Sequence, residues 1–214
     1  MLFLSLSLAF ASDPVDIGVL QEKDIKVVQK LLFSKEDRLE LSAHLGVMPF
    51  DGFTWAPSAA LGGAYHVSES LGFEGRLGGG YGFKTSRYTL LESSAYGVAV
   101  EAYRYLGSAE ATVLWSPIYA KMNVAGRRII HHDVYLLAGA GVTLEQSVLP
   151  SVDIAIAPTL PLGIGARVFF ADNLAFRVEL RDGLMIEKRE QSDVTAFKQS
   201  VGVNLGLSYF GKKG

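Results

Sequence analysis

The chain has 214 residues, a formal net charge of −2, 49% apolar residues, 23 glycines and no cysteine. That length suits one all-β domain of barrel size. The missing thiols exclude disulfides, thiolate metal centres and cysteine nucleophiles, and the lack of a basic stripe argues against nucleic acid as a partner. Mean hydropathy is +0.25, yet no uninterrupted apolar run approaches the ~18–20 residues of a spanning helix.

Leu2 to Phe10 is apolar and Ala9-Phe10-Ala11 fits the small-x-small cleavage rule, so residues 1–11 are expected to be an export signal peptide. No Lys or Arg precedes the run, which an upstream start would explain. Residues 12–36 do not alternate. Ile25, Val28, Leu31 and Leu32 stand at helical spacing within Gln21–Phe33, so a short amphipathic helix is expected in a periplasmic N-terminal segment.

From Arg38 the period becomes two, the pattern of a strand with one apolar and one polar face. Residues 37–211 read as an outer-membrane β-barrel. Strand 1 sets Leu39, Leu41, Ala43, Leu45 and Val47 against Arg38, Glu40, Ser42 and His44. Strand 2 sets Phe53, Trp55, Ala59, Leu61, Tyr65 and Val67 against Thr54, Ser58, Gly62, His66 and Ser68. Strand 3 sets Leu71, Phe73, Leu77, Tyr81 and Phe83 against Glu74, Arg76 and glycines. Strand 4 sets Val113, Trp115 and Tyr119 against Glu110, Thr112 and Ser116. Strand 5 sets His132, Val134, Leu136, Ala138 and Val142 against Asp133, Tyr135, Gly139, Gly141 and Thr143. Strand 6 sets Leu160, Leu162, Ile164, Val168 and Phe170 against Gly163, Gly165 and Arg167. Strand 7 sets Leu174, Phe176, Val178 and Leu180 against Arg177, Glu179 and Arg181. Strand 8 runs from Phe197 to Tyr209.

Eight strands is an even number, as single-chain bacterial barrels have. The expected fold is an all-β, eight-stranded antiparallel up-and-down transmembrane barrel with a short N-terminal helical segment. Outward aromatic residues sort into two girdles, Phe53, Trp55, Tyr81, Phe83 and Phe197 at the outer end and Tyr65, Phe73, Tyr119, Phe170, Phe176 and Tyr209 at the other. Inner connections are expected at Glu69-Ser70, Lys121–Arg128 and Ala171–Asn173. Outer ones are expected at 48–52, 84–108, 144–156 and 182–195. The 84–108 stretch is apolar enough to suggest a helix that caps the outer mouth or folds inward, with a ten-stranded barrel as the alternative. Pro57, Pro117 and Pro161 fall inside expected strands and require bulges or shifted boundaries.

The inward list contains Arg38, Arg76, Arg167, Arg177, Arg181 and Lys198, opposed by Glu40, Glu74, Glu110, Asp133 and Glu179. Buried charges persist only when paired, so an ionic network plugging the lumen is expected rather than a wide pore. His66 and Ser68 form the His-x-Ser pair of outer-membrane lipases, but at the wrong end of the strand and facing inward. His131-His132 beside Asp133 lies on alternating faces and cannot supply the converging ligands a metal needs. The run Gly78–Gly82 is not a phosphate loop, since no Gly-Lys-Ser/Thr occurs. No catalytic set, metal or cofactor is expected.

Ser200, Gly202, Leu205, Leu207, Tyr209 and Phe210 resemble the C-terminal signal of bacterial outer-membrane proteins, which implies recognition by the barrel-assembly machinery. The stretches Val19-Leu20-Gln21, Lys35–Leu41, Pro117–Lys121, Asp133–Leu136 and Ala138–Val142 together resemble a family of small outer-membrane barrels of myxobacteria and Bdellovibrio-like bacteria. Ala120 departs from that family's glycine. Some members belong to gliding-motility envelope complexes. The resemblance implies a Gram-negative outer-membrane location, contact with outer-membrane lipid and a structural or docking role among periplasmic or envelope-complex proteins. A narrow channel for ions or small solutes is the alternative, and a lipid-modifying enzyme ranks last.

Overall fold

The computed structural model describes residues 34–98, 100–124, 128–149, 154–189 and 194–212. The expected export signal and the helix at 21–33 lie outside the described residues. Eight long strands form the fold: β1 (Arg38–Asp51), β2 (Thr54–His66), β3 (Leu71–Gly80), β4 (Tyr103–Val124), β5 (Arg128–Ser147), β6 (Ile154–Ala171), β7 (Leu174–Arg189) and β8 (Val194–Phe210). Each pairs antiparallel with its sequence neighbour, and β1 also pairs with β8, for example Leu45 with Leu205. The ring is therefore closed and has no free edge, so the ten-stranded alternative does not apply.

The register sets the tilt. One ladder runs Leu39, Tyr65, Phe73, Val113, Ala138, Leu162, Asp182, Val201. Extending the Val47–Val203 pairing by two residues brings Val201 level with Pro49, ten residues above its start at Leu39. A closed sheet can take up that offset only by tilting its strands by roughly 35–45°. The mouth that carries Arg38, the Ser68–Ser70 turn and Phe210 is here the inner mouth; the other is the outer mouth.

The faces are inverted relative to a water-soluble barrel. Leu45 is 71% exposed, Leu61 69% and Leu77 69%, whereas Arg167 and Arg177 are wholly buried. Outward Trp55, Tyr81 and Phe83 ring the outer end, and Tyr65, Phe73, Phe170, Phe176 and Tyr209 the inner end. Trp55 and Tyr65 are ten positions apart on β2, which spans roughly 25 Å along the axis of a tilted strand. That matches the apolar band of a barrel that crosses a membrane. No helix among the described residues is long and apolar enough to cross one.

Several expected boundaries shift. β5 continues to Ser147, β6 begins at Ile154 and β7 continues to Arg189, so the outer connections are shorter than 144–156 and 182–195. The inner connection expected at 121–128 shrinks likewise, because β4 continues to Val124. The 84–108 stretch holds one short helix, α1 (Ser86–Glu92), with Tyr88 buried. Tyr103 and Tyr105, expected in that loop, begin β4 and face inward. Tyr119 does not belong to the outer surface. A bulge between Trp115 and Ile118, where Pro117 lacks an N–H, reverses the alternation. Tyr119 consequently packs on Phe169, Ala175 and Phe210 inside the inner mouth. Pro161 sits where the β5–β6 ladder skips, and Pro57 lies just past the end of the β2–β3 ladder.

Candidate functional site

The lumen holds the polar chemistry, in layers. At the inner mouth Lys35, which precedes β1, donates to Asp133 on β5 at 2.5 Å. Asp133 also accepts from Ser116 at 3.2 Å and Arg167 at 3.5 Å. The segment that brings Lys35 there is tied down by Glu69, which accepts from the Ser34 hydroxyl and from the Lys35 amide at 3.1 Å. Partial burial would raise Glu69, but the Ser34 hydroxyl and the Lys35 and Glu36 amides hold its carboxyl below the usual value. Asp37 takes the left-handed conformation, φ 57°, and its amide bonds the His66 carbonyl. This turn folds the approach to β1 back over the mouth. Arg38 points away from the belt, toward the Asp172 carbonyl at 3.4 Å.

Above lies an ionic belt. Glu40 accepts from Arg177 at 2.9 Å, Ser208 at 2.6 Å and His66 at 2.7 Å, with Arg167 at 3.6 Å. Glu74 faces Arg177 at 2.8 Å and Arg181 at 3.0 Å. Glu179 accepts from Arg76 at 2.6 Å, from Tyr135 at 2.5 Å and from Arg177. Glu110 accepts from Arg181. Arg76 also reaches Asn204 at 3.2 Å. Five cations (Lys35, Arg76, Arg167, Arg177, Arg181) thus meet five anions (Glu40, Glu74, Glu110, Asp133, Glu179) in one connected set. Tyr135 stands at its centre, donating to Glu179, accepting from Arg177 Nε at 3.0 Å, with Arg167 4.3 Å over its ring. Gly165 permits this: a Cβ there would lie 2.3 Å from the Tyr135 ring.

A cavity of about 70 Å³ follows, lined by Arg76, Arg181, Glu110, Thr143, Ser200 and Asn204 among others. It has room for a few waters. Phe50, Tyr103, Tyr105 and Met185 form a buried aromatic lid above it. Lys198, between Glu145 at 3.1 Å and Glu187 at 3.0 Å and 3.8 Å from the Phe50 ring centre, adds an outer ionic cluster.

His44, Glu74 and Glu179 approach one another closely enough to suggest a cation site. Both carboxylates are already engaged by Arg76, Arg177 and Arg181, so their oxygens are committed to guanidinium groups whose charge repels a divalent ion. His66 and Ser68 do not form a catalytic pair. His66 Nε2 is held by Glu40, and Ser68 Oγ accepts from the Ser70 and Leu71 amides of its own turn. Ser208 and His66 bind opposite oxygens of Glu40, so neither hydroxyl is hydrogen-bonded to the imidazole, the contact that nucleophile activation needs. His131 pairs with Tyr119 at 2.8 Å.

Of the C-terminal residues, Leu205, Leu207 and Tyr209 face outward, Ser200 and Gly202 face the lumen, and Phe210 turns in to pack on Phe169. Lys35, Tyr135, Ser208 and Asn204 join the network without having been singled out for it in the sequence. Alternation already places the last three inward; nothing periodic marks Lys35.

No family model and no curated protein matches the chain. Among solved structures it is similar to the Neisserial surface protein A, NspA (11% identity, TM-score 0.48, 80% of this chain and 95% of that one). It is also similar to the N-terminal β-barrel domain of Pseudomonas aeruginosa OprF (12%, 0.45, 81% and 98%). A third likeness is to Ail, the attachment invasion locus protein of Yersinia pestis (15%, 0.42, 82% and 99%). These are distant likenesses of shape, and the barrel itself follows from the closed strand ladders.

Proposed function

We propose that the chain is a Gram-negative outer-membrane β-barrel that works as a structural or docking component of the envelope and not as an enzyme or a pore. The observation that supports this is the lumen. Its carboxylates are each committed to cations, and the cavity beyond them is bounded by the ionic belt on one side and the aromatic lid on the other. Function on this reading belongs to the surfaces: residues 12–36, the rim of the inner mouth where Ser34 and Lys35 are held, and the outer connections. The resemblance to barrels of envelope complexes points the same way. Planar-bilayer recording from the purified protein is expected to give no current above background. Discrete, ion-selective steps would instead favour a narrow channel.

A further inference from the structure

Three polar side chains share one outward patch at the level of the outer girdle. Arg104 stands on β4 beside Gly82, where a Cβ would meet the Arg104 Cα at 2.9 Å. Its Nη1 donates to the Tyr81 hydroxyl at 2.7 Å, and the guanidinium lies 5.4 Å from that ring's centre. Gln146 is the partner of Arg104 across the β4–β5 ladder. Alternation turns Arg104 and Gln146 outward, since Tyr103, Tyr105, Glu145 and Ser147 on either side of them are buried.

The patch keeps spare donors. The Tyr81 hydroxyl accepts from Arg104 and retains its own proton. Arg104 Nη2 and the Gln146 amide have no hydrogen-bond partner among the described residues. No outward residue of β3, β4 or β5 among those described is acidic. Glu92 of α1 is taken by Lys84 at 2.9 Å. A guanidinium presented to the membrane at this depth calls for an anion. Its planar fork matches a phosphate, to which it donates two parallel hydrogen bonds. Lipid phosphates lie at this level, because aromatic girdles sit among headgroups.

Below the patch the wall is hollow. An apolar groove of about 620 Å³ crosses β8, β1, β2 and β3, lined by Ala43, Leu45, Ala59, Leu61, Leu77 and Leu205 among others. Its rim at Leu77 lies four positions below Tyr81 on the same run of chain, roughly 10 Å down a tilted strand. Between them stands Gly79, exposed and paired with Ala59, so no side chain blocks the way from patch to groove. We propose that a phosphate-bearing lipid of the leaflet at the outer mouth occupies this wall. Its phosphate rests against Arg104, Tyr81 and Gln146, and one acyl chain passes over Gly79 into the groove beside Leu77. The charge selects the headgroup and the hollow selects the chain, so neither a free anion nor a neutral lipid satisfies both.

The full chain in nanodiscs of equimolar phosphatidylcholine and phosphatidic acid, released for native mass spectrometry, reports which lipid stays bound. Retention of one phosphatidic acid is expected to exceed that of one phosphatidylcholine by about tenfold, the factor carried by 1.4 kcal/mol. Arg104→Gln should bring the ratio to parity. Arg104→Lys, which keeps the charge and loses the fork, should fall between. Gly79→Leu should cut retention while leaving every headgroup donor in place; a Cβ there meets only the Leu106 carbonyl, at 3.8 Å, so the wall has room for it. Excess inorganic phosphate should not displace the lipid. Heat-modifiable gel migration checks that each variant is folded. A wild-type ratio near one, an unchanged ratio in Arg104→Gln, or wild-type retention in Gly79→Leu would each overturn the proposal. So would displacement by inorganic phosphate, which would mark a free-anion site. None of these outcomes depends on the current recorded from planar bilayers, so the lipid site and the docking reading fail separately.

Discussion

Lys35 and Asp133 stand 98 positions apart and form a fully buried ion pair at the inner mouth. Replacing Lys35 by Met leaves Asp133 in the interior with Arg167 at 3.5 Å and one hydroxyl. Loss of one member of a buried pair typically costs about 3–5 kcal/mol. Lys35→Met is expected to destabilise the barrel by that order, and Lys35→Met with Asp133→Asn by clearly less. Urea unfolding from vesicles, followed through Trp55 and Trp115, measures both. Equal losses in the single and double variants would count against the pair.

Gly165 is expected to resist even alanine. Tyr135 is fixed by Glu179 and Arg177 and cannot retreat from a Cβ at 2.3 Å. Overpacking of this kind costs about 1–3 kcal/mol. Gly75→Ala is the control, because that position faces outward and a Cβ there meets nothing within 4 Å. The same unfolding assay should separate the two, with Gly75→Ala close to wild type.

Leu205 lies on the outward face in mid-band and is 50% exposed. Leu205→Arg is expected to cost about 2–4 kcal/mol in a bilayer, whereas Trp55→Arg at the outer girdle should lose only about 0–1 kcal/mol from the charge itself. If the two variants cost the same in vesicles, the placement of the apolar band is wrong.

Glu69 gives the inner mouth a pH dependence. Its carboxyl is held below its ordinary value of 4.5 by the donors of Ser34, Lys35 and Glu36. A carboxyl depressed in the folded state stabilises it fully above the unfolded value, and the benefit is lost as pH falls through the folded one. The stability advantage of wild type over Glu69→Gln is therefore expected at neutral pH and should disappear progressively below pH 4.5. An advantage that grows on acidification would contradict the clamp.

The strand faces were legible because a membrane barrel inverts the usual rule: Leu39, Leu41, Leu45 and Leu207 alternate with lumen residues whether or not their partners are known. The charge balance of the interior was legible for the same reason. Tyr119 was not, because one bulge at Pro117 turns it to the lumen side, and a proline inside an alternating run does not announce which way the ladder will slip. Lys35 was not, because it reaches the lumen through a turn at Asp37 rather than along a strand.

By itself the sequence determined which side chains look outward and which look in, since a two-residue period is a local property of the chain. Which carboxylate meets which guanidinium was decided only by closure of the ring. The ten-residue climb of the ladder, set by registers between strands far apart in sequence, brings Arg177 of β7 beside Glu40 of β1 and Glu74 of β3. No local pattern encodes an offset that exists only once the cylinder has closed.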